Sequence, residues 1–279
     1  MQWIIYKTFS SYYPYIFDKG KKGIGIIIEL ERLYQLFLHV FRGREKIIDK
    51  KNIKAILFDS GRTLNIPRTG HWFITPKFYE ILDVSGLKYK QEIFDSAIEK
   101  ACDYVNKIRF VKNEEEEFFM FKEFYRIVLE GAGYPDIDSR ILSALAEDNV
   151  YNDNKFLFFD DVEPSLEILK QKYMPGVVSD TWPSLERVFI NAGLRKYFST
   201  FIMSSIYGSC KSEKALFKVA LEELKIAPPE AIFIDDSESN LTAAEEFGML
   251  PILIDRYKTT DLKSKYPIIR SLGELLELL

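Results

Sequence analysis

Short apolar runs alternate with helix-length amphipathic stretches over much of the chain. KAILFDS begins the series with a strand-like run between charges and a turn. GVVSD (176–180), FIMSS, AIFIDDS (231–237) and PILID (251–255) have the same character. Between them lie VEPSLEILKQKY, WPSLERVFINAGL, SEKALFKVALEELKI and NLTAAEEFGM, each with apolar residues at three- and four-residue spacing. Pro164 stands early in the first of these helices, and Gly193 and Gly248 close two others. SLGELLELL reads as a final helix. Strands that alternate with helices predict right-handed crossovers and a parallel sheet, so the fold class is α/β with a Rossmann-like core.

One stretch breaks the alternation. Residues 67–157 carry the segments KQEIFDSAIEKACDYVNKIRF, EEEEFFMFKEFYRIVLEGAG and DSRILSALAEDNVY, all with helical periodicity. They read as a helical domain inserted after the first strand. GAGYP (131–135) is a helix stop and turn, and Glu114 to Glu117 read as a solvated helix start, where negative charge is favoured. The expected organisation is an N-terminal apolar extension over 1–50, a core over 51–66 and 158–279, and the helical insert between. In the extension, IGIIIELERLYQLFLHVF (24–41) is apolar almost all round, which predicts a covered helix. Packing on its own chain, a homodimer contact, or peripheral membrane contact through residues 1–41 would each cover it.

Composition narrows the partners. A net charge of −4 gives no basic face, which argues against nucleic acid. No stretch reaches the length of uncharged apolar chain that a membrane span needs. The N-terminus lacks the basic start and small-residue cleavage site of a signal peptide. Two cysteines are too few for a disulfide framework. Together these predict a cytoplasmic protein.

In an open parallel sheet, ligands bind at the carboxyl ends of strands. Here Asp59, then Ser179 with Asp180, then Asp235 with Asp236 end three strands, and Lys211 and Lys214 open the helix before the last of them. Clustered carboxylates repel one another unless a cation intervenes. An all-oxygen set without His or Cys selects a hard ion, magnesium by preference. A lysine and a hydroxyl beside it suit a phosphate, and an aspartate can attack phosphorus. The set points to phosphoryl transfer.

Four stretches in this order resemble the haloacid dehalogenase-like hydrolase superfamily: AILFDSGRTLN, GVVSDTWPSL, SCKSEKALFKVAL and AIFIDDSESNLTAAEEFGM. The resemblance implies a Rossmann-like core with a helical cap, and it implies roles. Asp59 matches the nucleophile, and the Gly61 position supplies a backbone carbonyl to magnesium. Ser179 and Thr63 fall at phosphate-binding positions. Lys211 matches the lysine that neutralises nucleophile and phosphate, with Lys214 the weaker candidate. Asp236 matches the metal-binding acid, supported by Asp235 and Asn240. Family phosphatases usually carry a second aspartate two residues after the nucleophile; here that residue is Gly61, and the next, usually Gly, is Arg62.

The leading expectation is a magnesium-dependent phosphatase of a small phosphorylated metabolite, working through an aspartyl phosphate. His71, in TGHWFITP, is the candidate replacement acid/base. The alternative is a weak or inactive protein of the same fold that binds a phosphorylated ligand.

Overall fold

The computed structural model describes residues 52–87, 91–258 and 264–279. All belong to one unit, Asp49–Leu279. The expected N-terminal extension, with its helix over 24–41 and its possible contacts, lies outside the described residues.

Strand β1 (Ala55–Phe58) enters first and is buried at every position. The chain then forms β2 (Asn65–Pro67) and four helices: α1 (Phe78–Val84), α2 (Gln91–Val105), α3 (Glu114–Gly131) and α4 (Ser139–Tyr151). It returns through β3 (Phe156–Phe158), which pairs antiparallel with β2, Asn65 opposite Phe158 and Pro67 opposite Phe156. This two-stranded connector and α1 were not evident from periodicity: the strands have three residues each, too few to establish a repeat.

From there helices and strands alternate as predicted. Helix α5 (Val162–Leu169) leads to β4 (Met174–Ser179), and α6 (Ser184–Asn191) to β5 (Thr200–Met203). The one-turn α7 (Ser204–Tyr207) and α8 (Ala215–Leu224) lead to β6 (Ala231–Asp235), and α9 (Glu238–Phe247) to β7 (Leu250–Ile254). Strand β8 (Ile268–Ile269) and helix α10 (Leu272–Leu278) complete the chain.

The sheet is six-stranded, in the order β5-β4-β1-β6-β7-β8, and every pairing is parallel. Its central strands read as continuous apolar runs because helices cover both faces. Gly176 in β4 is required by close approach: a Cβ there would fall 2.5 Å from Thr200 Cγ2 and 2.6 Å from Leu57 Cδ2. After β1 the chain builds outward through β4 and β5, then crosses back to the other side of β1 with β6. That reversal opens a crevice beyond the carboxyl end of β1, where open α/β sheets bind their ligands.

The helical insertion has its own core. Phe78, Leu82, Phe94, Phe121, Phe124, Tyr125, Val128, Leu145 and Val150 bury against one another across its four helices. Helix α3 starts at Asn113, whose side chain accepts a hydrogen bond from the Glu116 N–H at 2.9 Å. The acidic run after it is only partly the solvated face expected. Glu115 and Glu116 are exposed, but Glu117 points inward and is 1% exposed. One helical turn carries both a dipole-favoured surface and a buried carboxylate.

Candidate active site

Strand β1 delivers Asp59 to the crevice, and its backbone N–H still pairs with the Ile234 carbonyl at 2.9 Å. Strand β4 delivers Ser179, whose hydroxyl donates to Asp59 Oδ1 at 3.0 Å. The loop before α8 delivers Lys211, whose ammonium donates to Asp59 Oδ1 and to Asp235 Oδ2, both at 2.6 Å. The Lys211 backbone N–H donates to Asp180 Oδ1 at 3.0 Å. Asp235, at the end of β6, is fully buried and also accepts from the Ser237 N–H at 2.8 Å and from Asn240 Nδ2 at 3.0 and 3.2 Å. Asp236 follows on the cavity side, and Arg62 Nε donates to its Oδ2 at 2.5 Å. Both contacts on Asp59 fall on Oδ1; Oδ2 carries no hydrogen bond among the described residues.

The electrostatics follow from that packing. Burial works against the Lys211 ammonium, yet Asp59, Asp235 and Asp180 around it hold its pKa well above the usual lysine value. Burial pushes the Asp235 carboxyl up, Asp59 adds to the rise, and Lys211 opposes it. Asp180 is raised by burial as well. One ligand oxygen from each of Asp59, Asp235 and Asp236 lies within 4.8 Å of the others. An all-carboxylate cluster of this size suits a hard divalent ion.

Asp59, Ser179, Asp180, Lys211 and Asp236 line a cavity of about 340 Å³, while Asp235 is buried and is not part of its wall. Gly61, Arg62, Asn240 and His71 border the same space. Thr63 is fully buried and is absent from the cavity wall, and its Oγ1 has no hydrogen-bond partner. Its carbonyl instead accepts from Arg256 Nη2 at 2.8 Å, while Arg256 Nη1 holds Asp161 at 2.7 and 2.9 Å. Lys214 pairs with Glu246 at 2.7 Å and is likewise absent from the cavity wall.

His71 Nδ1 accepts from the backbone N–H groups of Phe73 at 3.1 Å and Ile74 at 3.2 Å. This favours the neutral tautomer with its proton on Nε2. Burial lowers the imidazole pKa further, with Asp95 opposing. The arrangement suits a hydrogen-bond donor and works against the proton shuttling expected of His71, because taking a proton at Nδ1 would forfeit both backbone contacts.

Gly61 is explained by Trp72. A Cβ at position 61 would fall 3.0 Å from Trp72 Cη2 and 3.2 Å from Cζ2. The indole, braced edge-on against Phe156 at 5.6 Å, fills space into which a side chain at 61 would project.

The cavity wall also holds Asn149, Lys155 and Ser184, which the sequence did not single out. Lys155 is buried; its ammonium donates to the Asn149 carbonyl and to Ser184 Oγ, both at 2.7 Å. Ser184 Oγ donates to Glu117 Oε1 at 2.6 Å, and the Ser184 N–H donates to Oε2 at 2.7 Å. The hydroxyl thus relays between a buried ammonium and a buried carboxylate, and ties α3 to α6. No spacing rule signals this, since the partners come from three separate elements.

A haloacid dehalogenase-like hydrolase family model matches residues 14–248. The chain belongs to this family. Over 215 residues the hydrolase is 26% identical to mouse acyl-CoA dehydrogenase family member 10, covering 75% of this chain and 18% of that one. Over 140 residues it is 27% identical to glyceraldehyde 3-phosphate phosphatase of Pyrococcus furiosus, covering 46% and 58%. It therefore spans less than two thirds of either relative. Among solved structures, Bacillus subtilis YfnB, solved bound to magnesium, matches with a TM-score of 0.61 at 14% identity, over 82% of this chain and 99% of that one. That likeness shows the shared fold: a parallel α/β core with a helical insertion.

Proposed function

We propose that this hydrolase is a phosphatase of a small phosphorylated metabolite and that Asp59 is its nucleophile. The observation that carries the reading is Lys211 bridging Asp59 and Asp235 while Ser179 holds the same Asp59 oxygen. Both contacts fix Oδ1 and leave Oδ2 to attack phosphorus. The phosphorus–leaving-group bond breaks, the leaving group departs with its electron pair, and an aspartyl phosphate forms. Water then attacks phosphorus and releases Asp59 and inorganic phosphate. Lys211 stays charged throughout and offsets the charge of the phosphate. Residues 67–157 act as the cap over the site, with core residues 51–66 and 158–279 below it.

The carboxylate cluster fits a magnesium ion in its donor chemistry. Held by Asp59, Asp236 and the Gly61 carbonyl, with Asp235 and Asn240 supporting, magnesium would supply positive charge to the phosphate oxygens. His71 would offer its Nε2–H as a hydrogen-bond donor to the substrate. With no carboxylate at position 61, the site favours leaving groups that need little protonation, because an absent general acid lowers rates by about 10²–10⁴-fold.

A second reading, a protein that binds a phosphorylated ligand without turning it over, is favoured by the Trp72 ring against Gly61. The two part on a phosphatase assay with 4-nitrophenyl phosphate and magnesium, run beside Asp59→Asn. Release of nitrophenolate that falls by more than about 10³-fold in the variant supports the enzyme. Saturable binding of a phosphate ester with no release by the native chain supports the second reading.

A further inference from the structure

Asp59 and Asp236 are the acids of the cluster that border the cavity, and Arg62 already holds Asp236. The other two carboxylates are committed to Lys211, and Asp235 also to Ser237 and Asn240. Asp236 Oδ2 is bonded to Arg62 Nε at 2.5 Å. The guanidinium also feels Asp59 and Asp235, so it stands in the field of the whole cluster. We propose that Arg62 is a resident cation of this site and competes with a divalent metal ion for Asp236.

Competition follows from a shared ligand: the guanidinium and a divalent ion would both draw on the Asp236 carboxylate. The exchange is accessible because the Arg62 side chain is 55% exposed, whereas Lys211 is 3% exposed and fixed. The guanidinium can swing into the cavity mouth; the ammonium cannot leave.

The loop holds Arg62 in this place. Its N–H donates to the Asn65 carbonyl at 2.7 Å, and the Ser60 carbonyl accepts from Leu64 and Asn65. Arg62 has a φ of 56°, a left-handed conformation that glycine adopts freely. Arg62→Gly therefore suits the loop, and a failure to fold is not the expected outcome.

The proposal rests on reading Asp59, Asp235 and Asp236 as a cation site, and the experiment separates the two ideas. Manganese is titrated into the full-length protein, bound ion being read by electron paramagnetic resonance and calorimetry, with no substrate present. Arg62→Gly and Arg62→Gln are each expected to tighten manganese binding at least tenfold, and Asp236→Asn to weaken it at least tenfold. Equal binding by the native chain and both Arg62 variants overturns the competition and leaves the cation site standing. Tightening by Gly but not by Gln overturns it too, because loop relaxation and not charge would then be the cause. Absence of binding in the native chain and both Arg62 variants overturns both ideas.

Discussion

Trp72 and Gly61 define the residue scale, because one side chain settles what the other position can hold. An aspartate at 61 needs a Cβ within 3.0 Å of the indole edge, closer than ordinary van der Waals contact. Gly61→Asp alone is expected to lower stability by about 1–3 kcal/mol through overpacking and to leave the rate on alkyl phosphates unimproved. Gly61→Asp combined with Trp72→Ala opens the space, and its rate on alkyl phosphates is expected to exceed that of Gly61→Asp by about 10²-fold. Melting temperatures and steady-state rates for the single and double variants check this. If Gly61→Asp alone matches the double variant, Trp72 is not the obstacle. Asp59, Ser179, Lys211, Asp235 and Asp236 were legible in the sequence because strand ends and a helix start announce themselves locally. The contact between residues 61 and 72 was not legible. It depends on how the loop after β2 folds back, which no periodicity encodes.

Helix α3 carries the argument at the scale of elements. Its first turn follows a rule of sequence, acids at a helix N-terminus, and then departs from it at Glu117. Four glutamates in a row look alike; only the arrival of Ser184 from α6 and Lys155 from the turn before β3 distinguishes the fourth. The same limit hid β2 and β3, whose pairing is stated by two short segments about ninety residues apart. The longer elements were readable because apolar spacing persists over two or more turns, or because a run is buried on both faces. For the relay, Glu117→Ala strands a buried ammonium and is expected to lower stability by about 3–5 kcal/mol. Glu117→Gln with Lys155→Met removes both charges and should recover most of that loss. Urea unfolding of Glu117→Gln, Lys155→Met and the double variant forms the cycle. Additive losses would mean that the two groups do not act as a pair.

At the scale of the whole molecule, the relay makes stability depend on pH, since it joins the helical insertion to the sheet layer through two ionisable groups. Burial raises the Glu117 carboxyl above its ordinary 4.5, against the pull of Lys155 and the hydrogen bonds from Ser184. Burial likewise lowers the Lys155 ammonium below 10.5, with Glu117 opposing. The signs differ. A carboxyl raised in the folded state keeps its proton where the unfolded chain has already lost it. Its contribution is complete below 4.5 and declines as pH rises through the folded value. An ammonium lowered in the folded state behaves in the opposite sense. Its contribution is complete above 10.5 and is lost as pH falls through the folded value. Between these windows burial opposes charge on either partner, and the Ser184 hydroxyl and the Asn149 carbonyl offset that cost only in part. Glu117→Gln removes the acid-side window. The native protein minus variant difference in unfolding free energy should therefore shift against the native chain as pH climbs from 4.5. Urea unfolding of both proteins at half-unit steps between pH 4.5 and 8 measures that difference. A difference that stays flat across the range would show that Glu117 titrates alike in the folded and unfolded chain, and the buried relay would then have no hold on the stability of the molecule.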